Sequence, residues 1–394
     1  MNRFILLITL AALTFPACYR DRPQPADYYA CAQPLPVQDD DHPLADPLRD
    51  WLQQRVAQGL PGVSLTVRHP EYGTWSGAAG WAEIVGRVPY VPCHFSRVGS
   101  TVKTFTAVAL LMLAERGQVE LDAPADTYLP AETLAGIENA AGATVRQLLQ
   151  HAAGVDNYIR NLQFQTASLN DFTRVWQPEE LLQYSRGAAA TFPVGEDVAY
   201  SNTGYILLGM IIEAVTGEPF YRFFEREIFV PLGMQYTRFA APDPVPAGIV
   251  RGYIDMYDNG ELIDATDYSG WDYFTADGGL LSNPYDLTLF LEALFEGRLL
   301  APETLTAMLD VRYPRQSEDG GYLTGFGLGI FAVDTEYGVA YLHSGDAVGY
   351  FATMVHFPSQ KVTVAWAANG NYGSLDELTQ TKEVMDGVFK LIVE

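Results

Sequence analysis

The stretch VGSTVKTFTAVALLMLAERGQVELD, residues 98–122, sets a serine and a lysine three positions apart at the start of a long apolar run. The unbroken apolar segment 108–113 predicts a buried helix. If this helix begins near Ser100, positions i and i+3 share a face, so the Lys103 amine lies beside the Ser100 hydroxyl. Only four lysines occur in the chain, at positions 103, 361, 382 and 390, which indicates a specific task for the one at 103.

The chemistry of this pair favours a nucleophilic serine activated by an amine. A serine hydroxyl attacks poorly unless a neighbouring base takes its proton. Lysine becomes such a base when burial or a nearby cation lowers its pKa, whereas arginine keeps its proton in proteins. The alternative is that Ser100 only caps the helix and Lys103 points to water from the first turn.

A second candidate element is Tyr200-Ser201-Asn202, directly before a segment with helical periodicity. A tyrosine there can relay protons to or from the serine oxygen, and the carboxamide of Asn202 can hold a substrate amide. The alternative is a loop with an asparagine cap. The similar Tyr257-Asp258-Asn259 runs into Gly260, so the sequence predicts the turn of a hairpin there.

A third element is His343-Ser344-Gly345, at the end of the strand-like GVAYLHSG. A small residue and a glycine on an edge strand let a substrate lie alongside and use backbone N–H donors, as an oxyanion hole requires. Two functional roles suit His343, a positive charge or a contact that fixes the tyrosine. The alternative is a structural histidine at a strand end.

The order of the predicted elements indicates the architecture. Strand patterns occur near the start, at 62–69 and 75–85, and return late in GVAYLHSG, YFATMVHFP and KVTVAWAANG. A first helix is predicted in HPLADPLRDWLQQRVAQGLPG and a closing amphipathic helix near 375–393, while helical segments fill 122–317. We therefore predict one α/β layer built from both termini, a helical lobe inserted between them, and a ligand cleft where they meet.

Composition and charge exclude several function classes. The 394 residues are 48% hydrophobic, as expected of a folded protein, and carry a formal net charge of -24. Such a charge repels phosphate backbones and anionic membrane surfaces, so we expect no nucleic-acid partner. No metal-binding spacing such as CxxC, HExxH or an EF-hand loop occurs, and we expect no metal or cofactor.

The N-terminal sequence predicts export. Residues 1–17 join Arg3 to a short apolar stretch typical of a signal peptide, and a proline-rich leader spans 18–42. Cleavage before Cys18 favours lipidation of that residue as a membrane tether, with simple secretion as the alternative. The protein is then exported, as a periplasmic or outer-membrane lipoprotein or in secreted form. The remaining cysteines, Cys31 and Cys93, either form a disulfide or stay two buried thiols.

Together the three elements resemble the serine hydrolases of the class C β-lactamase and D-alanyl-D-alanine carboxypeptidase superfamily, over roughly residue 43 to the end. Connecting segments such as ADGGLLSNPYDLTLFLEAL and GFGLGI share the likeness. The resemblance implies an α/β (α+β) fold with an antiparallel sheet flanked by N- and C-terminal helices. Its α/β lobe comprises 43–98 and 322–394, and its helical lobe comprises 99–321.

The resemblance also implies roles for individual residues. Ser100 is the nucleophile, and Lys103 and Tyr200 are coupled bases of which either is formally the acceptor. The implied substrate-binding residues are Asn202, His343, Ser344 and Gly345, and the implied oxyanion donors are the backbone N–H groups of Ser100 and Asp346.

Three departures from the family pattern refine this expectation. His343 replaces the lysine usual in β-lactamases of this group, which favours the peptidase and esterase branches. Asp346 is acidic where a small residue is more common, so we expect weaker binding of anionic substrates unless its side chain points away. The segment HAAGV at 151–155 departs from His-Thr-Ser-Gly and is interpreted as structural.

The resulting hypothesis is an exported hydrolase that forms an acyl-enzyme at Ser100 and cleaves an amide or ester. A D-amino-acid peptide of the cell wall is the favoured substrate, as for a D-Ala-D-Ala carboxypeptidase. Alternatives are an esterase or a β-lactamase of the same superfamily. A hypothesis of another class is a catalytically silent sensor of muropeptides or penicillin-like ligands.

Overall fold

The computed structural model describes residues 26–31, 35, 41–268, 270, 272–316 and 321–394. Its largest sheet is antiparallel and has eight strands built from both ends of the chain. In order across the sheet these are Val88–Pro89, Gly73–Glu83, Gly62–His69, Val362–Ala368, Tyr350–Phe357, Gly338–Ala347, Phe331–Thr335 and Thr324–Phe326. The predicted fold class is confirmed.

The first and last helices cover one face of this sheet. The helices Ala45–Ala57 and Lys382–Val393 share an apolar core with the sheet. Trp51 contributes to it by meeting Trp366 edge to face at 6.3 Å between ring centroids. The last helix begins later than predicted because Thr381 caps it by accepting a hydrogen bond from the Val384 N–H.

A buried helix, Val102–Glu115, lies in the core on the opposite side of the sheet, and we call it the central helix. Its residues from Val102 to Leu113 are all buried, which accounts for a sequence that is apolar on every side. It contacts the helix Asn202–Thr216, and its Phe105 stacks on Phe290 at 3.6 Å. A rigid helix buried on all sides is a firm support for side chains at its first turn.

Further elements complete the helical lobe and its margins. The helix Pro284–Phe295 lies against the sheet, where Arg68 donates a hydrogen bond to Thr288 at 2.9 Å, although the sequence placed it in the helical lobe. Other helices are Ala131–Leu134, Val145–Leu149, Leu162–Asn170, Pro178–Leu182, Phe220–Phe224, Val230–Leu232 and Pro302–Met308. Short strands are Ser96–Arg97, Arg238–Phe239, Tyr253–Ile254, Ile263–Asp264, Leu280–Ser282 and Gly370–Asn371. Among the described residues, no helix has both the length and the apolar character to cross a bilayer.

The N-terminal leader is attached to the domain through Cys31 and Cys93, which form a disulfide with 5.9 Å between their Cα atoms. His94 lies beside the two sulfurs, and its Nε2 is 2.9 Å from the Tyr29 carbonyl. Because the sulfurs are bonded to each other, this cluster does not offer thiolates to a metal. The predicted signal peptide and Cys18 lie outside the described residues.

Candidate active site

Ser100 lies in the single turn Gly99–Thr101 that leads into the central helix. Gly99 has φ +49°, and a Cβ there would stand 2.5 Å from the Asp346 carbonyl oxygen. Only glycine fits such a close approach of two backbones without strain. This turn fixes Ser100 between the central helix and the strand Gly338–Ala347.

Lys103 is fully buried one turn below Ser100 and makes three hydrogen bonds. Its Nζ donates to the Ser100 Oγ at 2.9 Å, to the Asn202 Oδ1 at 2.8 Å and to the Asp277 carbonyl at 2.5 Å. The predicted proximity of serine and lysine is therefore present, and the reading of Lys103 as a solvent-facing residue is wrong.

The chemical nature of the three partners fixes the direction of proton transfer. An amide oxygen and a backbone carbonyl only accept, whereas a hydroxyl both accepts and donates. When Lys103 is neutral, its two N–H groups are used by Asn202 and Asp277. The amine lone pair is then left for the Ser100 hydroxyl, as a general base requires.

Burial lowers the pKa of Lys103 to about 8, against the opposing effect of the carboxylates of Asp277 and Asp272. Both aspartates are buried, and burial raises the pKa of each. The Tyr158 hydroxyl donates to the Asp277 Oδ2 at 3.2 Å. The site thus supplies a lysine that loses its proton near neutral pH, with acidic groups that limit how far its pKa falls.

Tyr200 stands on the other side of Lys103, with its ring centroid 4.9 Å from the Nζ. Burial raises the pKa of the Tyr200 phenol well above its ordinary value, although a hydrogen bond with Ser100 lowers it. Tyr200 is therefore a neutral phenol at physiological pH. Of the two bases that the sequence left equivalent, Lys103 is the one whose proton is readily lost.

The Tyr200 ring is held by His151, which the sequence assigned to a structural segment. The two rings lie 4.5 Å apart, and the His151 Nδ1 accepts a hydrogen bond from the Ser201 N–H at 3.1 Å. The Ser201 hydroxyl caps the helix Asn202–Thr216 by accepting from the Gly204 N–H. These contacts fix the backbone on both sides of the predicted Tyr-x-Asn element.

Asn202 is oriented by a second asparagine that sequence reasoning missed. The Asn157 Oδ1 accepts from the Asn202 Nδ2 at 3.2 Å and from its backbone N–H at 3.3 Å. This contact turns the Asn202 carbonyl oxygen toward Lys103. In the resting site Asn202 therefore binds the lysine, whereas its predicted role is to bind a substrate amide.

One edge of the strand Gly338–Ala347 borders the serine. Pairing with the strand Phe331–Thr335 ends at the pair Phe331–Leu342, so the segment after Leu342 faces the site along that edge. A Cβ on Gly345 would lie 2.5 Å from the Ser100 nitrogen. Gly345 thus permits the contact that brings the backbones of Ser100 and Asp346 together, where the oxyanion donors are predicted.

His343 is buried at this edge and is neutral, because burial and, to a smaller extent, nearby Lys103 lower its pKa to about 3. This disfavours a positive charge, one of the two functional roles that the sequence left open for His343. Its ring centroid is 6.4 Å from that of Tyr200, in keeping with the alternative role of packing near the tyrosine. Ser344 donates from its hydroxyl to the Thr353 Oγ1 at 3.0 Å on the neighbouring strand.

The site opens onto one cleft of about 780 Å³. Arg160 and Asp346 are the charged side chains that line it within the described part of the chain. Predicted site residues on its wall are Ser100, Tyr200, Asn202, His343, Ser344 and Asp346. The cleft is large enough for a peptide or a small amide and brings the substrate beside Ser100.

The chain is similar to known proteins in sequence and in fold. The Beta-lactamase family profile matches residues 48–387. Penicillin-binding protein 4* of Bacillus subtilis (strain 168) is 26% identical over 307 residues, which are 74% of this chain and 64% of that protein's length. The chain thus spans less than two thirds of that relative.

Solved structures similar to this one include two enzymes whose names refer to the D configuration. The D-amino acid amidase from Ochrobactrum anthropi SV3, complexed with L-phenylalanine amide, is 27% identical with a TM-score of 0.76, covering 88% of this chain and 97% of that chain. The D-stereospecific amidohydrolase from Streptomyces sp. is 28% identical with a TM-score of 0.73, covering 86% and 97%. The chain belongs to the Beta-lactamase family of hydrolases.

Proposed function

We propose that this chain is a serine hydrolase that forms an acyl-enzyme at Ser100 and cleaves an amide or ester, with D-amino-acid peptides or amides as its substrate class. The observation that carries the proposal is the hydrogen bonding of Lys103. Two of its partners only accept, and the third is the hydroxyl of Ser100. This arrangement favours transfer of the serine proton to a neutral amine.

In the proposed reaction the Ser100 Oγ attacks the substrate carbonyl while its proton passes to Lys103. The tetrahedral intermediate places its oxyanion at the backbone N–H groups of Ser100 and Asp346. Collapse breaks the bond to the leaving nitrogen or oxygen, which takes a proton through the neutral phenol of Tyr200. Water then attacks the ester at Ser100, releases the acid and restores the hydroxyl.

The substrate class is supported by the two similar enzymes, which are named as a D-amino acid amidase and a D-stereospecific amidohydrolase. A D-Ala-D-Ala carboxypeptidase, the activity favoured by the sequence, belongs to the same class of acyl transfer. Esterase and β-lactamase activity use the same steps. The neutral His343 offers no cation in place of the lysine usual in β-lactamases, which disfavours the last of these.

Active-site labelling tests the proposed function. A fluorophosphonate probe should add mass to the peptide containing Ser100, and Ser100→Ala should lose both the label and all turnover. Turnover is measured with a panel of p-nitrophenyl esters, D-amino acid amides, D-Ala-D-Ala peptides and a cephalosporin. A wild-type protein that takes no label and hydrolyses no member of the panel would be a binding protein instead.

The predicted export and lipid tether are a separate part of the proposal. They are supported by the sequence of residues 1–18 and by a disulfide between Cys31 and Cys93, which suits an oxidising compartment. The mass of the mature protein extracted from membranes tests them. A diacylglyceryl modification at Cys18 is expected, and an unmodified N-terminus downstream of residue 18 would refute the tether.

A further inference from the structure

We propose that Asp346 selects substrates that carry a free ammonium group next to the scissile carbonyl and disfavours substrates that present a carboxylate there. The inference rests on the proposed function and names its substrate class more closely. It favours amides and esters of unblocked amino acids over peptides cleaved at a free C-terminus.

The position of Asp346 is the first step. It follows Gly345, whose backbone touches the Ser100 nitrogen, and its own carbonyl packs against Gly99. Its side chain is solvent-exposed and lines the cleft. These observations favour a carboxylate that faces the cleft over one that points away from it. We therefore expect a charged substrate group one or two bonds from the scissile carbonyl to lie close to this carboxylate.

The electrostatic surroundings of Asp346 keep this part of the cleft acidic. Desolvation by the cleft walls and the nearby carboxylate of Asp376 raise the pKa of its carboxyl to about 6, against the opposing effect of a hydrogen bond with Asn371. The phenols of Tyr200 and Tyr372 are the titratable groups that sense its charge. At neutral pH Asp346 is ionised and faces the substrate without a neighbouring cation among these groups.

His343, three residues before Asp346, adds no positive charge to this edge of the cleft. Its Nδ1 lies 2.7 Å from the Ser344 carbonyl, which only accepts, so Nδ1 carries the proton and Nε2 is the acceptor. The Nε2 is buried without a protein partner on a residue that lines the cleft. The Asp346 carboxylate is therefore the acceptor that this segment exposes to the cleft. The neutral His343 adds no charge that would attract a substrate carboxylate.

Arg160 is the competing element, because it is the cation that lines the cleft within the described residues. It belongs to the turn Tyr158–Arg160 in the helical lobe and is solvent-exposed. Asp346, in contrast, belongs to the segment that touches the Ser100 backbone. A substrate carboxylate beside the reacting carbonyl meets Asp346 first, so Arg160 is not expected to reverse the selection.

Paired substrates test this inference. One pair is D-phenylalanine p-nitroanilide and its N-acetyl derivative, which differ in the ammonium group. The other is acetyl-D-Ala-D-Ala and its C-terminal carboxamide, which differ in the carboxylate. Each is assayed as kcat/KM with wild type, Asp346→Asn and Asp346→Ser. Asp334→Asn, an exposed aspartate on the adjacent strand and outside the cleft lining, is the matched control.

Wild type should prefer the free ammonium and the carboxamide, each by at least about tenfold. In both Asp346 variants these two kcat/KM ratios should fall close to one, and in Asp334→Asn they should remain at the wild-type values. The ammonium ratio should be greatest between about pH 6, where Asp346 ionises, and about pH 8, where the substrate amine loses its proton.

The inference is overturned if the wild-type ratios are near one or if the Asp346 variants leave them unchanged. It is also overturned if wild type prefers the carboxylate and Arg160→Gln removes that preference. Fluorophosphonate labelling of Ser100 separates these outcomes from failure of the proposed function. Wild type and Asp334→Asn should both take the label at Ser100, whereas a chain without the proposed chemistry takes no label.

Discussion

Lys103 and Asp346 are ionisable residues on opposite sides of Ser100, and their surroundings differ sharply. Lys103 is fully buried, and its amine has three protein partners at 2.5–2.9 Å. Asp346 is exposed on the cleft wall, where a bound substrate can contact it. Burial of Lys103 on the enclosed side of Ser100 fixes the geometry of proton transfer. On the open side, the exposed carboxylate of Asp346 can take part in substrate recognition. Changes on the enclosed side should therefore alter the chemical step, and changes on the open side should alter the choice of substrate.

The largest effect is expected from Lys103→Arg, which keeps the positive charge but removes the ability to lose a proton. We expect kcat/KM for a neutral ester to fall by roughly 10³-fold or more, because loss of a general base costs 10²–10⁴. Lys382→Arg, in a partly exposed ion pair with Asp386 on the last helix, is the matched control and should be silent. Retention of a tenth of the activity by Lys103→Arg would rule out the amine as the base.

Tyr200→Phe should have the next largest effect. The neutral phenol contributes to proton delivery at the leaving group, so its loss should lower kcat for amides by roughly 10²-fold. Esters with good leaving groups should lose much less. Tyr257→Phe, at the exposed turn that carries the other Tyr-x-Asn pattern, serves as the control. Equal losses for amides and activated esters would contradict a role in leaving-group protonation.

Asn157→Ala should have a moderate effect, because Asn157 acts through Asn202. Loss of its oxygen removes one hydrogen bond from the Asn202 carboxamide and one from the Asn202 backbone N–H. We expect roughly a tenfold lower kcat with little change in KM, and partial rescue by Asn157→Asp, which keeps the acceptor. Asn170→Ala, exposed at a helix end, is the control. A change confined to KM would indicate direct substrate contact instead.

The smallest effect is expected from Asp277→Asn, and it should appear in the pH profile rather than the maximal rate. The Asp277 carboxylate raises the pKa of Lys103, so its neutralisation should let the lysine lose its proton at lower pH. The acidic limb of kcat/KM should move to lower pH. Asp272→Asn should move it in the same direction by less. A shift to higher pH would contradict the assigned sign.

The main elements of the fold follow from patterns that a sequence displays directly. The apolar run 108–113 marked a buried helix, and alternation marked the strands on both sides of the inserted lobe. The boundary of the last helix was less accurate, because Gly373–Leu378 forms a separate turn before Thr381 caps the helix. Hydrophobic periodicity does not distinguish a short turn from the start of a helix.

The sequence also predicted Ser100, Lys103 and Tyr200 as site residues, and the structure places them side by side. It could not reveal Asn157 or Asp277, since their relevance depends on contacts between residues 45 and 174 positions apart in the chain. For a related reason the sequence could not decide between the roles that it left open for His343. Its protonation state depends on burial, which one strand pattern does not disclose.

The rate of Ser100 acylation as a function of pH tests the central claim most directly. The rate constant for labelling by a neutral fluorophosphonate is measured from pH 5 to pH 10, with the adduct located by mass spectrometry. We predict a rate that rises with pH along an apparent pKa of about 8, the value expected for buried Lys103. A rate that stays flat across this range, or an adduct on a residue other than Ser100, would contradict activation of the serine by a neutral lysine.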